Sequence, residues 1–333
     1  MNDRARESYW RVVWAQFRRH RLARFGFGVV VWLTLIATLA PFIANHKPLL
    51  LKWQGHWYCP IIQSVPNLPE HANFLAWRAY PPIGTTVVMP AIPYSPTGYD
   101  LDAILEAPSL THWLGTDDQG RDVAARMVHG TRSSLSIGFI AVAIAGFIGI
   151  VLGAWAGYYG GIVDILLSRL IEVMYCFPTF FLILAVLAFV QPSIYNIMIV
   201  IGLTGWTGIA RLVRGEFLKL KGQDFVAAVT VLGASHARVM FRHLLPNALA
   251  PVLVSLSFDV ASAVLVESSL SFLGFGVPPY EPSWGGIISQ SRDFLDIGWW
   301  LTLSPGFAIF LTITAFNLIG EGLRDATDPR LRG

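Results

Sequence analysis

The chain has 333 residues, of which 54% are hydrophobic and only 14% charged, with a net charge of +3. Soluble globular domains carry roughly 25% charged side chains, so this composition points to an integral membrane protein. The modest positive charge is distributed by topology, which argues against a nucleic-acid partner. Cys59 and Cys176 lie far apart in an apolar chain, so neither a structural disulfide nor a cysteine metal site is expected.

Residues 1–24 form a basic N-terminal segment in which Trp10, Val13, Trp14 and Phe17 recur at helical spacing beside Arg11, Arg18 and Arg19. That pattern reads as an amphipathic helix on the inner leaflet, with a polar tail carrying incidental aromatics as the alternative. A spanning helix needs about 20 mostly apolar residues. The first charge-free run, 25–43, meets that length and reads as a retained first helix, assigned to 25–44, and not as a cleaved signal. Residues 45–131 are rich in Pro, Trp and Tyr, a composition suited to a packed extracytoplasmic subdomain. A second apolar run covers 133–163, and a third, 173–210, is split by Gln191-Pro192-Ser193 into two helices joined by a tight turn. Residues 247–275 are apolar apart from Asp259 and Glu267, and 297–320 carry no charge. The expected fold is therefore an all-α polytopic membrane protein with six transmembrane helices, five of them in a core at 132–322, followed by a tail at 323–333.

Orientation follows from basic residues near the ends of the spans. Arg4, Arg6, Arg11, Arg18, Arg19, Arg21 and Arg24 precede the first span, which puts the N-terminus in the cytoplasm. Alternation then brings the 211–246 loop and the tail to the same side, and both are basic, through Arg211, Arg214, Lys219, Lys221, Arg238 and Arg242 in one and Arg324, Arg330 and Arg332 in the other.

Within that loop, Asp224 is a candidate cap for a helix over 225–232 that Gly233 ends, and a second helix over 234–244 is expected to stop at Pro246. Small residues at Ala227, Ala228 and Ala234 permit close approach of another surface. Two readings follow from the residues alone: a docking element for a cytoplasmic partner, or a helical hairpin that caps the membrane domain. Asp259 and Glu267 are costly in hydrocarbon and are candidates for the translocation path or for a buried pair or interfacial position. Arg169 and Glu172, three apart, read as an intrahelical pair. Asp117, Asp118, Arg121 and Asp122 fit a calcium loop poorly and read as a capped helix start in reach of an outside partner. The histidines form no zinc array, and no Gly-Lys dipeptide occurs, so no P-loop can form. No catalytic residue, metal site or cofactor is expected.

The stretch "DFVAAVTVLGASHARVMFRHLLPNALAP", residues 224–251, resembles the cytoplasmic loop signature of ATP-binding-cassette importer permeases. The signature's Glu-Ala-Ala box falls on Ala227-Ala228-Val229, its glycine on Gly233 and its Leu-Pro ending on Leu245-Pro246. Two positions depart from it: Ala227 stands where a glutamate is expected, and His243 where an apolar residue is expected, the latter like the peptide/nickel subfamily. "LGTDDQGRDVAARMVHGTRSSL" at 114–135, "ESSLSFLGFGVPPYEPSWG" at 267–285 and "EGLRDATDPRLR" at 321–332 resemble the same subfamily, the dipeptide/oligopeptide permease C type. "NHKPLLLKWQGHWYCP" at 45–60 further resembles the Yej-type peptide permease E subunit, with its large outside insertion. The resemblance implies a MetI-like permease fold, an inner-membrane location and a transport subunit that does not itself hydrolyse ATP. It also implies a second permease as heterodimer partner, two ATP-binding subunits or one fused ATPase, and a periplasmic solute-binding protein. The site it implies is a coupling loop carried by Asp224, Ala227, Ala228, Gly233, Ala234, His243, Leu245 and Pro246. Peptides are the implied cargo, with nickel or another small solute as the alternative within the family and an ion-coupled secondary transporter as the alternative outside it.

Overall fold

The computed structural model describes residues 9–69 and 72–327, so Arg4, Arg6, Arg330 and Arg332, used above as topology signals, lie outside the described residues. A short helix α1 (Tyr9–Arg19) leads into α2 (Arg21–Ile43). Two short strands, β1 (Leu50–Trp53) and β2 (His56–Tyr58), then α3 (Phe74–Ala79), β3 (Thr86–Val88) and a 3-10 turn at Leu101–Ala103 precede α4 (Val123–Tyr159). After α4 come α5 (Gly161–Tyr175), α6 (Thr179–Leu187), α7 (Ile194–Lys221), α8 (Asp224–Val231), α9 (His236–Arg238), a π-helical turn (Val239–Leu244), α10 (Leu245–Phe272), α11 (Trp284–Ser291), a 3-10 turn (Arg292–Phe294) and α12 (Trp300–Thr327). Among the described residues, five helical stretches are long and apolar enough to cross a membrane: α2, α4, α7, the continuous run His236–Phe272, and α12. α5 and α6 pass only as a pair, bent by 78°, and bring the number to six if counted as one span.

Several expected boundaries change for local reasons. The second span starts at Val123 and not near 133, because the Asp122 carboxylate accepts the Ala125 N–H at 2.7 Å and starts the helix there. It ends at Tyr159 inside an apolar run, where Gly160 and Gly161 take φ of +67° and +53°, a conformation helices do not continue through. In place of the straight helix expected from 173 stands the bent pair α5–α6. Its break falls at Cys176-Phe177-Pro178, where the proline restricts the residue before it and offers no N–H. The turn expected at 191–193 is present, with the Ser193 hydroxyl accepting the Tyr195 N–H to open α7. The ion pair of Arg169 with Glu172 is present at 2.5 Å and exposed.

One unit of the chain comprises Met1–Val30, Ser136–Glu267 and Phe310–Gly333. Its principal core joins Ala154 and Tyr158 of α4 to Ile209, Val213 and Phe217 of α7 and to Val239, Met240 and Leu244 of the π-helical turn. Gly149, Gly153 and Gly157, four apart, turn one face of α4 to α7; a Cβ at Gly149 would sit 2.7 Å from the Ile209 Cβ, and one at Gly157 2.6 Å from the Phe217 Cβ. This is the small-residue spacing by which membrane helices bring their backbones together. Val13 and Phe17 of α1 are buried with Ala23 and Ala326, while Trp14 is exposed. That corrects the expectation of a whole apolar face resting on the leaflet, since two of its residues are already covered by protein.

The other unit comprises Val31–Leu135 and Ser268–Ile309. Its three strands form an antiparallel sheet in the order β2-β1-β3, with Leu51 facing Tyr58 on one side and Val87 on the other. Asn45 N–H to Ile92 O at 3.1 Å and Ile92 N–H to Ile43 O at 3.0 Å tie this region to the end of α2. A second core of Val123, Ile287, Trp300 and Leu301 is fixed by the Trp300 Nε1–H donating to Thr116 O at 2.9 Å and the Trp284 Nε1–H to Met127 O at 3.2 Å.

Candidate functional site

α8 owes its position to a single inward face. Val226 is buried, and Phe225 and Val229 pack partly against the same core as α7 and the π-helical turn. The residues left uncovered include Ala227, Ala228, Val231 and, at the C-cap, Leu232. Ala227 and Ala228 are exposed, and Val231 and Leu232 are 87% and 86% exposed. These two large aliphatic side chains, at the end of the helix and its C-cap, make an apolar surface that nothing else among the described residues covers.

Asp224 stands in the first turn and Gln223 occupies the cap position, so the expected cap shifts by one residue; a carboxylate in the first turn still complements the helix dipole. Gly233, at φ +79°, ends the helix as expected. The Gly233 N–H donates to Thr230 O at 3.0 Å and the Ala234 N–H to Val229 O at 3.3 Å, the paired bonds of a Schellman motif. Ala234 therefore belongs to this terminus and does not begin the next helix, which starts at His236.

Pro246 does not stop that helix. The chain continues from His236 to Phe272 through the π-helical turn at Val239–Leu244. A wider turn accommodates a proline that lacks an N–H and crowds the preceding turn, which is how the Leu245-Pro246 pair sits inside a continuous helix. The Asn247 Nδ2–H donates to His243 O at 2.7 Å, satisfying a carbonyl at this irregularity. His243 is half-buried and Leu244, its neighbour, fully buried.

The acids of α10 separate. Glu267 is fully buried, whereas Asp259 is half-buried and accepts a 3.4 Å hydrogen bond from the Ser255 hydroxyl.

The cluster at 117–122 is a packed structural element. The Asp117 carboxylate, wholly buried, accepts the Arg121 Nε–H at 2.7 Å and the Arg126 Nη1–H at 2.5 Å through one oxygen and the N–H groups of Gln119 and Arg121, both at 2.9 Å, through the other. The second Asp122 oxygen lies 2.9 Å from His112 Nδ1. Burial pushes the Asp122 carboxyl above its usual range, and burial together with the charge of Asp117 does the same at Asp118. Asp117, Arg121 and Asp122 are too buried to reach an outside partner, and among these four only Asp118 keeps substantial exposure. The capped start of α4 was legible; Arg126, which completes the cluster, was not, because nothing in its local sequence marks it as buried.

A helical membrane chain that exposes an apolar helix on a loop braced by its own spans has the build of a transport permease. The chain belongs to the family described as binding-protein-dependent transport system inner membrane component, which matches residues 149–333. Residues 8–58 match the N-terminal TM domain of oligopeptide transport permease C. The dipeptide transport system permease protein DppC of Alkalihalophilus pseudofirmus is 42% identical over 68% of this chain and 75% of its own length. The inner membrane ABC transporter permease protein YejE of Escherichia coli is 34% identical over 95% of this chain and 96% of its own. The peptidoglycan transport system permease protein YejE of Agrobacterium fabrum is 33% identical over 95% and 92%. The chain is thus a permease subunit of an ATP-binding-cassette importer, and membership implies ATPase and solute-binding partners.

Proposed function

We propose that this permease moves peptides or peptide-like solutes across the inner membrane, driven by ATPases that dock on the 224–246 segment. The observation that carries the docking reading is the outward face of α8, with Val231 and Leu232 at 87% and 86% exposure on a helix whose other side is locked into the core. The names of the relatives, dipeptide and peptidoglycan permeases among them, support the cargo class. In this reading the permease pairs with a second permease, both termini lie in the cytoplasm, and residues 45–131 lie outside. ATP-driven closure of the ATPases pushes on α8, and the spans carry the motion to the opposite face of the membrane. Asp259, being half-buried, suits a water-lined path better than Glu267, which the interior encloses.

The test is Leu232→Glu in the importer reconstituted with its ATPases, second permease and binding protein. Leu232 is the better position to probe than Gly233, whose φ of +79° would add backbone strain to any substitution. Retained ATPase and stimulation by binding protein loaded from a random tripeptide mixture are expected to fall at least tenfold, with the permease's own melting temperature unchanged. Full retention of the ATPase refutes the docking reading. Stimulation by nickel in place of the tripeptides refutes the peptide cargo.

A further inference from the structure

Three elements end at one point beside the docking segment. Tyr158 is the penultimate residue of α4, Lys221 the last of α7, and His236 the first of α9. Tyr158 Oη lies 2.8 Å from His236 Nδ1. The Lys221 ammonium donates to Tyr158 O at 2.6 Å and stands 5.6 Å from the centre of the Tyr158 ring. That carbonyl is among the last four of α4, which have no partner within the helix, and a cation there also complements the helix dipole. Tyr158 is buried, and its ring meets those of Tyr159 and His236 edge-on at 5.2 and 5.7 Å. One phenol thus holds the first residue of α9, and its own carbonyl holds the last residue of α7, on either side of the docking helix.

We propose that Tyr158, His236 and Lys221 form a clasp that makes the docking segment and the end of α4 move as one body, so that the three are positioning residues for coupling. The proposal rests on the docking reading of α8. Besides the covalent continuation into α7 and into the His236–Phe272 helix, a push on Val231 and Leu232 has two ways to reach α4. One is the apolar contact of Val226 with the core, which can slide, since dispersion contacts have no preferred direction. The other runs through Gly233-Ala234-Ser235 to His236 and crosses to α4 by a directed hydrogen bond. Beyond Tyr158 the glycines at 157, 153 and 149 hold α4 against α7 too closely for the two to shift independently. With the clasp closed, displacement of α8 becomes displacement of α4. With it open, part of that displacement is absorbed in the loop.

The experiment uses the assembled importer in proteoliposomes with binding protein loaded from a random tripeptide mixture. Tyr158→Phe keeps the ring and the carbonyl and removes only the hydroxyl; His236→Ala removes the partner. Each is expected to lower the stimulation of ATP hydrolysis by loaded binding protein about fivefold, the size of one net hydrogen bond. For Tyr158→Phe, which lies outside the docking segment, retained ATPase and the basal rate stay at wild-type levels. The double variant is expected to be no worse than either single one, and His236→Gln, whose amide can bond the phenol, is expected to recover most of the stimulation. Wild-type stimulation in both single variants overturns the clasp, as does a loss that only tracks retained ATPase. Leu232→Glu, run alongside, separates the two ideas. If it loses the ATPase while Tyr158→Phe behaves as wild type, the clasp alone fails; if it keeps the ATPase, the docking reading fails and takes the clasp with it.

Discussion

Along α4 and the segment that leads into it, two stretches are held in place by opposite means. From 149 to 157 the helix meets α7 through glycines, with Ile209, Val213 and Phe217 pressed onto bare backbone. From 112 to 126 the chain is held by charge, with one buried carboxylate shared between two arginines and a second carboxylate paired with His112. In hydrocarbon, apolar side chains gain nothing by leaving lipid for protein, so close packing has to supply the attraction. In the 112–126 stretch, buried charge is tolerated because each carboxylate faces a basic partner. The two stretches should therefore fail differently, and each failure can be measured.

The largest effect is expected at Asp117. Asp117→Ala leaves Arg121 and Arg126, 5% and 2% exposed, without their shared counter-charge. Breaking a buried pair from one side costs about 3–5 kcal/mol. Thermal unfolding of the purified permease should move down by many degrees, and limited proteolysis should open the 112–126 region first. Arg169→Ala removes one partner of an ion pair whose side chains are 74% and 56% exposed and should leave the melting temperature where it was. Equal effects from the two substitutions would dissolve the contrast between buried and exposed charge.

Gly153→Leu comes next. A Cβ at that position would run into the Ala210 carbonyl oxygen and come within 2.9 Å of the Val213 Cβ. Overpacking of this kind costs about 1–3 kcal/mol. A destabilised α4–α7 contact should appear as a lower melting temperature and as slower cross-linking of cysteine pairs placed across the two helices. Gly215→Ala, on α7 with open space around it, is the matched control and should be silent. A silent Gly153→Leu would mean that the two helices have room to separate.

How far each stretch could be read beforehand follows the same contrast. Apolar runs announce spans because lipid demands uninterrupted length, and the polar trio Gln191-Pro192-Ser193 announced a turn. The break at Gly160-Gly161 was legible as a Gly-Gly turn signal, but one masked by the charge-free run around it; the positive φ of both glycines places the break there. Pro246 misled in the other direction. As a sequence it is a helix stop, and in the structure a π-helical turn absorbs it, because neighbours on α7 and α8 bury Val239, Met240 and Leu244 on both sides of the irregularity. The glycines at 149, 153 and 157 recur every fourth residue, a spacing the reading of 133–163 as a plain apolar run does not use and which does not name the helix they face. The loop at 224–246 was readable from its caps as a helical hairpin, and as a candidate docking element only through its resemblance to the permease loop signature, whereas Tyr158 had no local signal, its partner being 78 positions away.

The smallest effect tests the one place where this segment departs from the signature it resembles. Ala227 lies on the exposed face of α8, where a glutamate would point outward beside Val231 with no cost of burial. If an acid at this position meets a basic group on the ATPase, Ala227→Glu should tighten docking by the value of an exposed ion pair, roughly 0.2–1 kcal/mol. The gain should shrink as salt is raised, because screening acts on exposed charges within about 10 Å at 0.1 M. Titration of the ATPase against reconstituted permease at low and high salt measures both. A gain that survives high salt would point to contact area and not to charge. Weaker binding would mean that this ATPase presents an apolar or acidic surface to α8, and that Ala227 is matched to it as it stands.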